Sequence, residues 1–140
     1  MMELNECINF LLTAVQNAVH TRFKASLQPF DVTPAQYMVM YFLCREGNLS
    51  PSVLAQFCRL DTSTMTGILT RMEKKGLIER RHSENDRRSV DICITSEGAA
   101  ILPDILTAIN NCNADTLVSL LPEEQRLLRS YLSRIMDALE

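Results

Sequence analysis

Apolar positions along this chain fall into two periods, and the change between them locates its elements. From residue 4 to residue 27, Leu4, Ile8, Leu11, Val15 and Ala18 follow the 3.6-residue helical period, and Phe10, Ala14 and Val19 widen the stripe. A face this broad implies contact with more than one element, and Pro29 closes the segment. A second helix opens at Thr33, where Thr33 and Gln36 form a capping box and Pro34 takes the first helical position. Tyr37, Met40, Tyr41 and Cys44 make its inner face, and Gly47 ends it. Ser50-Pro51 repeats the start signal for a short helix with Val53, Leu54 and Phe57 facing inward. Asp61 caps a fourth helix that runs to Lys75 and stops at Gly76. Within it Met65, Ile68, Leu69 and Met72 occupy i, i+3, i+4 and i+7, a narrow core stripe.

The period then shortens to two. Leu77, Ile78, Val90, Ile92 and Ile94 alternate with polar residues, and a polar tip from His82 to Ser89 lies between them, which predicts a β-hairpin. Thr95 caps a long helix bearing Ile101, Leu102, Ile105, Leu106, Ile109, Cys112, Leu117 and Leu120. Pro103 sits inside that run, so a kink or a late start is expected there. Pro122, Glu123 and Glu124 open a last helix with Leu127, Leu128, Tyr131, Leu132, Ile135, Met136 and Leu139 on its apolar side.

Helix, short helix, turn, helix and charged hairpin across residues 33–95 make a winged helix-turn-helix pattern. A recognition helix enters a groove about 12 Å wide while its other face holds the core. Opposite Met65, Ile68, Leu69 and Met72 stand Thr62, Ser63, Thr66, Gly67, Thr70, Arg71 and Lys74. A merely solvated helix face carries Glu, Lys and Gln, the good helix formers. This face is rich instead in Thr, Ser and Gly, which cost helix propensity but leave a slim, hydrogen-bonding surface. At the hairpin, Arg80, Arg81, Arg87 and Arg88 gather near a tip that can enter a minor groove, and Asp86 is placed to orient the Arg88 guanidinium. A charged tip alone is equally consistent with a solvated turn.

The total charge by itself opposes a nucleic-acid partner, since 14 basic and 17 acidic residues leave the 140-residue chain at −3. The charges are segregated, however. Residues 71–90 hold seven basic and four acidic residues, a net of +3, which leaves −6 on the rest. Five cysteines without a CxxC pair fit reduced thiols in a cytoplasmic protein. The start carries Glu3 and Glu6 where a signal peptide wants Lys or Arg, and no stretch reaches the length of a membrane span. Two separated histidines, His20 and His82, leave little for a metal site, and no nucleophile–base–orienter set appears. Neither a catalytic site nor a cofactor is expected.

The run LAQFCRLDTSTMTGILTRMEKKGLIERRHSENDRRSVDICITSEG resembles the MarR family of bacterial transcriptional regulators, above all in RMEKKGLIERR, DRRS and ITSEG. The resemblance extends to the flanking helices. It implies a mainly α fold with a small β-hairpin wing, in which 33–95 is the DNA-binding domain and 1–30 with 96–140 the helical dimerisation region. It also implies a homodimer on near-palindromic double-stranded DNA. Terminal helices so widely apolar need a partner in any case. Carried over by position, Thr62, Ser63, Thr66 and Thr70 would face bases or nearby phosphates, Arg71 the backbone, and Arg88 the minor groove.

One branch of that family senses peroxides through a first-helix cysteine bonded to tyrosines. Alignment on TPAQY puts Asn9 at the cysteine position, with Phe23 and Pro34 at the tyrosine positions, while Cys7 lies about 200° away round the helix. Cys44 and Cys112 read as packing residues, and Cys93, sharing a strand face with Asp91, as the more accessible thiol. The expected function is therefore a repressor released by a small amphipathic or aromatic effector. His20 and Arg22 read first as solvent-exposed, with contact to an anionic effector as the alternative. The competing class is a winged-helix adaptor for protein contacts without DNA binding, which would show apolar anchors on the reading face.

Overall fold

The computed structural model describes residues 1–140. In chain order it comprises α1 (Ile8–Leu27), α2 (Pro34–Glu46), α3 (Pro51–Phe57), α4 (Thr62–Lys74), β1 (Ile78–His82), β2 (Val90–Ile94), α5 (Ser96–Thr116) and α6 (Pro122–Leu139). The fold is mainly helical with one hairpin wing, as the periodicity predicts.

Local chemistry sets most boundaries. Thr33 accepts from the Gln36 amide, and the Thr33 amide donates back to Gln36 Oε1, at 3.2 and 3.1 Å. Ser50 caps α3 by accepting from Val53 N, and Thr95 caps α5 by accepting from Gly98 N. α4 ends in a Schellman arrangement: Gly76 N donates to Glu73 O and Leu77 N to Met72 O, with Gly76 at φ +73°.

β1 and β2 pair antiparallel with Ile78 opposite Ile94 and His82 opposite Val90. Leu49 and Ile92 exchange two backbone hydrogen bonds, so the α2–α3 connection adds a third short edge to the wing. The start of α5 packs very close to the wing. A Cβ at Gly98 would lie 2.4 Å from the Leu77 carbonyl oxygen, a contact that only glycine avoids.

The core is unevenly shared. Of its eighteen buried residues only Leu27 comes from α1, and the others lie between Val32 and Ile109. α6 buries none.

Several expectations need correction. The first helix starts at Ile8, not residue 4; a 3-10 turn at Leu4–Glu6 precedes it, with Cys7 as the capping position. The inner stripe of α2 is Gln36, Val39, Met40 and Leu43, so Tyr37 and Tyr41 are half-buried and Cys44 is exposed. That leaves Tyr37 beside Phe23 of α1, rings 6.0 Å apart, and Tyr41 beside Tyr37 at 6.1 Å. In α3, Leu54, Ala55 and Cys58 point inward, whereas Phe57 is exposed and stacks on Phe42 at 5.0 Å. Cys93 is buried, because its cross-strand partner Glu79 and the adjacent Arg81, themselves ion-paired, flank the small thiol. Pro103 does not delay α5, which begins at Ser96; the helix stops at Thr116, short of Leu117 and Leu120.

Candidate nucleic-acid interface

α4 sorts its side chains by face. Met65, Leu69 and Met72 are fully buried and Ile68 nearly so. Thr62, Ser63, Thr66, Thr70, Arg71 and Lys74 are exposed, with Gly67 half-buried.

Hydrogen bonding restricts what the hydroxyls can offer. Thr66 Oγ1 donates to Thr62 O and Thr70 Oγ1 to Thr66 O, each at 2.9 Å. Their protons are spent inside the helix, so toward solvent they present lone pairs and methyl groups. Ser63 Oγ donates to the capping carboxylate of Asp61 at 2.7 Å. That carboxylate also accepts from Thr64 N and Thr64 Oγ1. These bonds favour the ionised form and hold the Asp61 pKa down at about 2. Asp61 is thus a residue of this surface that sequence reasoning treated only as a cap. The cluster DTST, an acidic cap followed by hydroxyls at the second and third helical positions, is the signal that points to it.

The basic residues divide into free and occupied. Arg71 folds back along α4 over Gly67, where an added Cβ would meet its Nη2 at 3.6 Å. Arg71, Lys74, Arg87 and Arg88 take part in no ion pair, whereas Arg80 Nε lies 3.6 Å from Glu73 Oε2 and Arg81 pairs with Glu79. Lys75, one of the basic residues of 71–90, reaches instead across to the Asp31 carbonyl and Gln36 Oε1.

At the wing tip Asp86 does not orient the Arg88 guanidinium. Its Oδ1 accepts from the Arg88 backbone amide at 2.9 Å, and its carbonyl accepts from Ser89 N and Ser89 Oγ at 3.1 and 3.0 Å. A carboxylate two residues before an amide closes a turn more readily than it reaches a long, flexible guanidinium. Asp86 therefore shapes the loop that presents Arg87 and Arg88, and their charged ends stay exposed.

Relatives place this arrangement among known proteins. A model of the MarR family matches residues 32–90. The HTH-type transcriptional regulator FarR of Neisseria gonorrhoeae is 32% identical over 136 residues, spanning 94% of this chain and 92% of that protein. The chain belongs to the MarR family. Another relative, the organic hydroperoxide resistance transcriptional regulator of Bacillus subtilis, is 35% identical over 100 residues, covering 71% of this chain and 68% of that one. Among solved structures, the transcriptional repressor CouR bound to a 23-mer DNA duplex superposes with a TM-score of 0.88 at 28% identity, over 97% of this chain and 96% of that one. This chain is accordingly a MarR-family transcriptional regulator with a winged-helix DNA-binding fold.

Proposed function

We propose that the protein is a homodimeric repressor whose two winged helices occupy successive grooves of a near-palindromic operator. The carrying observation is unpaired apolar surface on the terminal helices. Ile8 and Val15 of α1 are 60% and 59% exposed, and Tyr131, Ile135, Met136 and Leu139 of α6 are likewise exposed. Surfaces of this kind on a soluble chain mark an interface, and a second copy supplies the same faces by two-fold symmetry. Residues 1–30 and 96–140 then form the dimerisation region, and 33–95 the DNA-binding domain.

On DNA, Thr62, Ser63, Thr66, Gly67 and Thr70 lie against the major groove, Arg71 and Lys74 meet phosphates, and Arg80, Arg87 and Arg88 serve the wing. Affinity should fall steeply with salt by counterion release. Arg88→Ala should lower operator affinity about tenfold while leaving the dimer intact. Unchanged affinity in an anisotropy titration removes Arg88 from the interface. Weak, salt-insensitive binding to all duplexes by the unmodified protein would favour the adaptor reading.

Release falls to a small amphipathic or aromatic effector that binds the free and DNA-bound states differently. A cavity of about 530 Å³ at the boundary between α1 and the winged helix supports this reading; His20, Lys24, Gln28, Asp31 and Thr33 line it. Arg22 faces a different groove, shared with Ala108, Cys112 and Asp115 of α5, so His20 and Arg22 do not converge on one ligand. Thiol sensing is the weaker alternative, because a reactive cysteine needs an accessible, acidified thiol. Cys58 and Cys93 are buried, and burial raises both, Cys58 to about 11; Cys44 is exposed, but its thiol too is raised by desolvation rather than acidified.

A further inference from the structure

Lys75 follows the recognition helix directly, and a charge count would assign it to DNA beside Lys74. Its geometry says otherwise. The side chain is only 30% exposed, and Nζ lies 2.5 Å from the Asp31 carbonyl oxygen, 3.2 Å from Gln36 Oε1 and 3.6 Å from Asp31 Oδ2. Of the ammonium's three protons, two meet hydrogen-bond acceptors of this chain, and the Asp31 carboxylate adds a longer ion-pair contact.

The two hydrogen-bond acceptors sit at fixed points of the fold. Asp31 adopts the left-handed conformation, φ +53°, uncommon for a residue with a Cβ, where the chain turns from α1 into α2. Gln36 is the one polar residue among the buried set, 2% exposed, and its Oε1 also accepts from the Thr33 amide at the α2 cap. One ammonium therefore joins the C-terminus of α4, the α1–α2 corner and the α2 cap. Asp31 and Thr33 also line the boundary cavity.

We propose that Lys75 is a positioning residue rather than a DNA contact: with Gln36 and Asp31 it fixes the pitch of the recognition helix against the α1–α2 corner. The bond to Gln36 is half-buried while the Asp31 carboxylate is 91% exposed, so the tie rests on Gln36 and the Asp31 carbonyl, 39 and 44 residues from Lys75 in sequence. A shift of the corner is thereby passed to α4 without any contact between the corner and DNA. This inference rests on the DNA-binding reading above.

Salt dependence separates a positioning residue from a phosphate contact, because each phosphate neutralised contributes about 0.9 to the slope of log affinity against log salt. The probe is a duplex selected by the unmodified full-length protein from a random pool. Lys74→Gln should weaken binding and lower the slope by about one. Lys75→Met should weaken binding about fivefold at moderate salt with the slope unchanged. Gln36→Met, which removes no charge, should reproduce that loss, and the double variant should be little worse than either single one. A slope that drops by about one in Lys75→Met, with Gln36→Met binding like the unmodified protein, overturns the tie and makes Lys75 a phosphate contact. If the unmodified protein selects no duplex, the DNA-binding reading fails and takes this inference with it.

Discussion

α4 and α6 are written in the same pattern and meet different fates. Both are amphipathic, with apolar residues at i, i+3, i+4 and i+7. In α4 the stripe Met65, Ile68, Leu69 and Met72 is buried against its own chain. In α6 the stripe Leu128, Tyr131, Leu132 and Ile135 is nowhere buried. A hydrophobic stripe therefore states that a helix requires a partner, and does not state which chain provides it. The difference places the α4 stripe in the intrachain core, with its polar face outward, and leaves the α6 stripe uncovered, the surface proposed to meet a second copy.

The strongest way to break this comparison is to charge the open stripe. Leu132→Asp with Ile135→Asp should convert dimer to monomer in sedimentation velocity and lower operator affinity about 10²- to 10⁴-fold, the loss expected when two linked half-sites become independent. A dimer that survives this pair of changes would move the interface away from α6. The matching change in the closed stripe, Leu69→Ala, should cost about 2–5 kcal/mol in denaturant unfolding, because it empties a fully buried site. A cost near zero would mean that α4 is not anchored as described.

A smaller effect tests how α5 carries the helical region onto the wing. Gly98→Ala should destabilise by about 1–3 kcal/mol, since the 2.4 Å approach to the Leu77 carbonyl involves backbone that cannot swing aside. The smallest effect concerns pH. The folded-state pKa of Asp61 is depressed from 3.8 to about 2, so its cap stabilises α4 fully above about pH 4 and loses that contribution as pH falls toward 2. Asp61→Asn keeps a cap without a titrating group. Its thermal midpoint should fall less steeply between pH 4 and pH 2 than that of the unmodified protein. Parallel curves would show that Asp61 adds nothing through its charge.

Much of this molecule was legible in the residues alone. Caps are local chemistry, so Thr33, Ser50, Asp61 and Thr95 mark helix starts wherever the chain then goes. The four-residue stripe of α4 was correct in every member, because a narrow stripe allows only one inward direction. α2 was misread by one position because nearly all of its surface is apolar, and periodicity cannot choose among several apolar faces. Cys93 was misread because its burial comes from Glu79 on the neighbouring strand, a residue whose own character is polar.

What the sequence determined by itself was the order of elements, the split of α4 into a buried apolar and an exposed polar face, and the segregation of charge, since each depends on spacing along one helix or hairpin. Tertiary structure decided the use of individual groups. It bonded Lys75 to Asp31 and Gln36, spent Asp86 on the wing backbone, and left α6 open. Those outcomes depend on atoms brought together from distant parts of the chain, and a hydrogen bond or a buried contact exists only at the distance that folding sets.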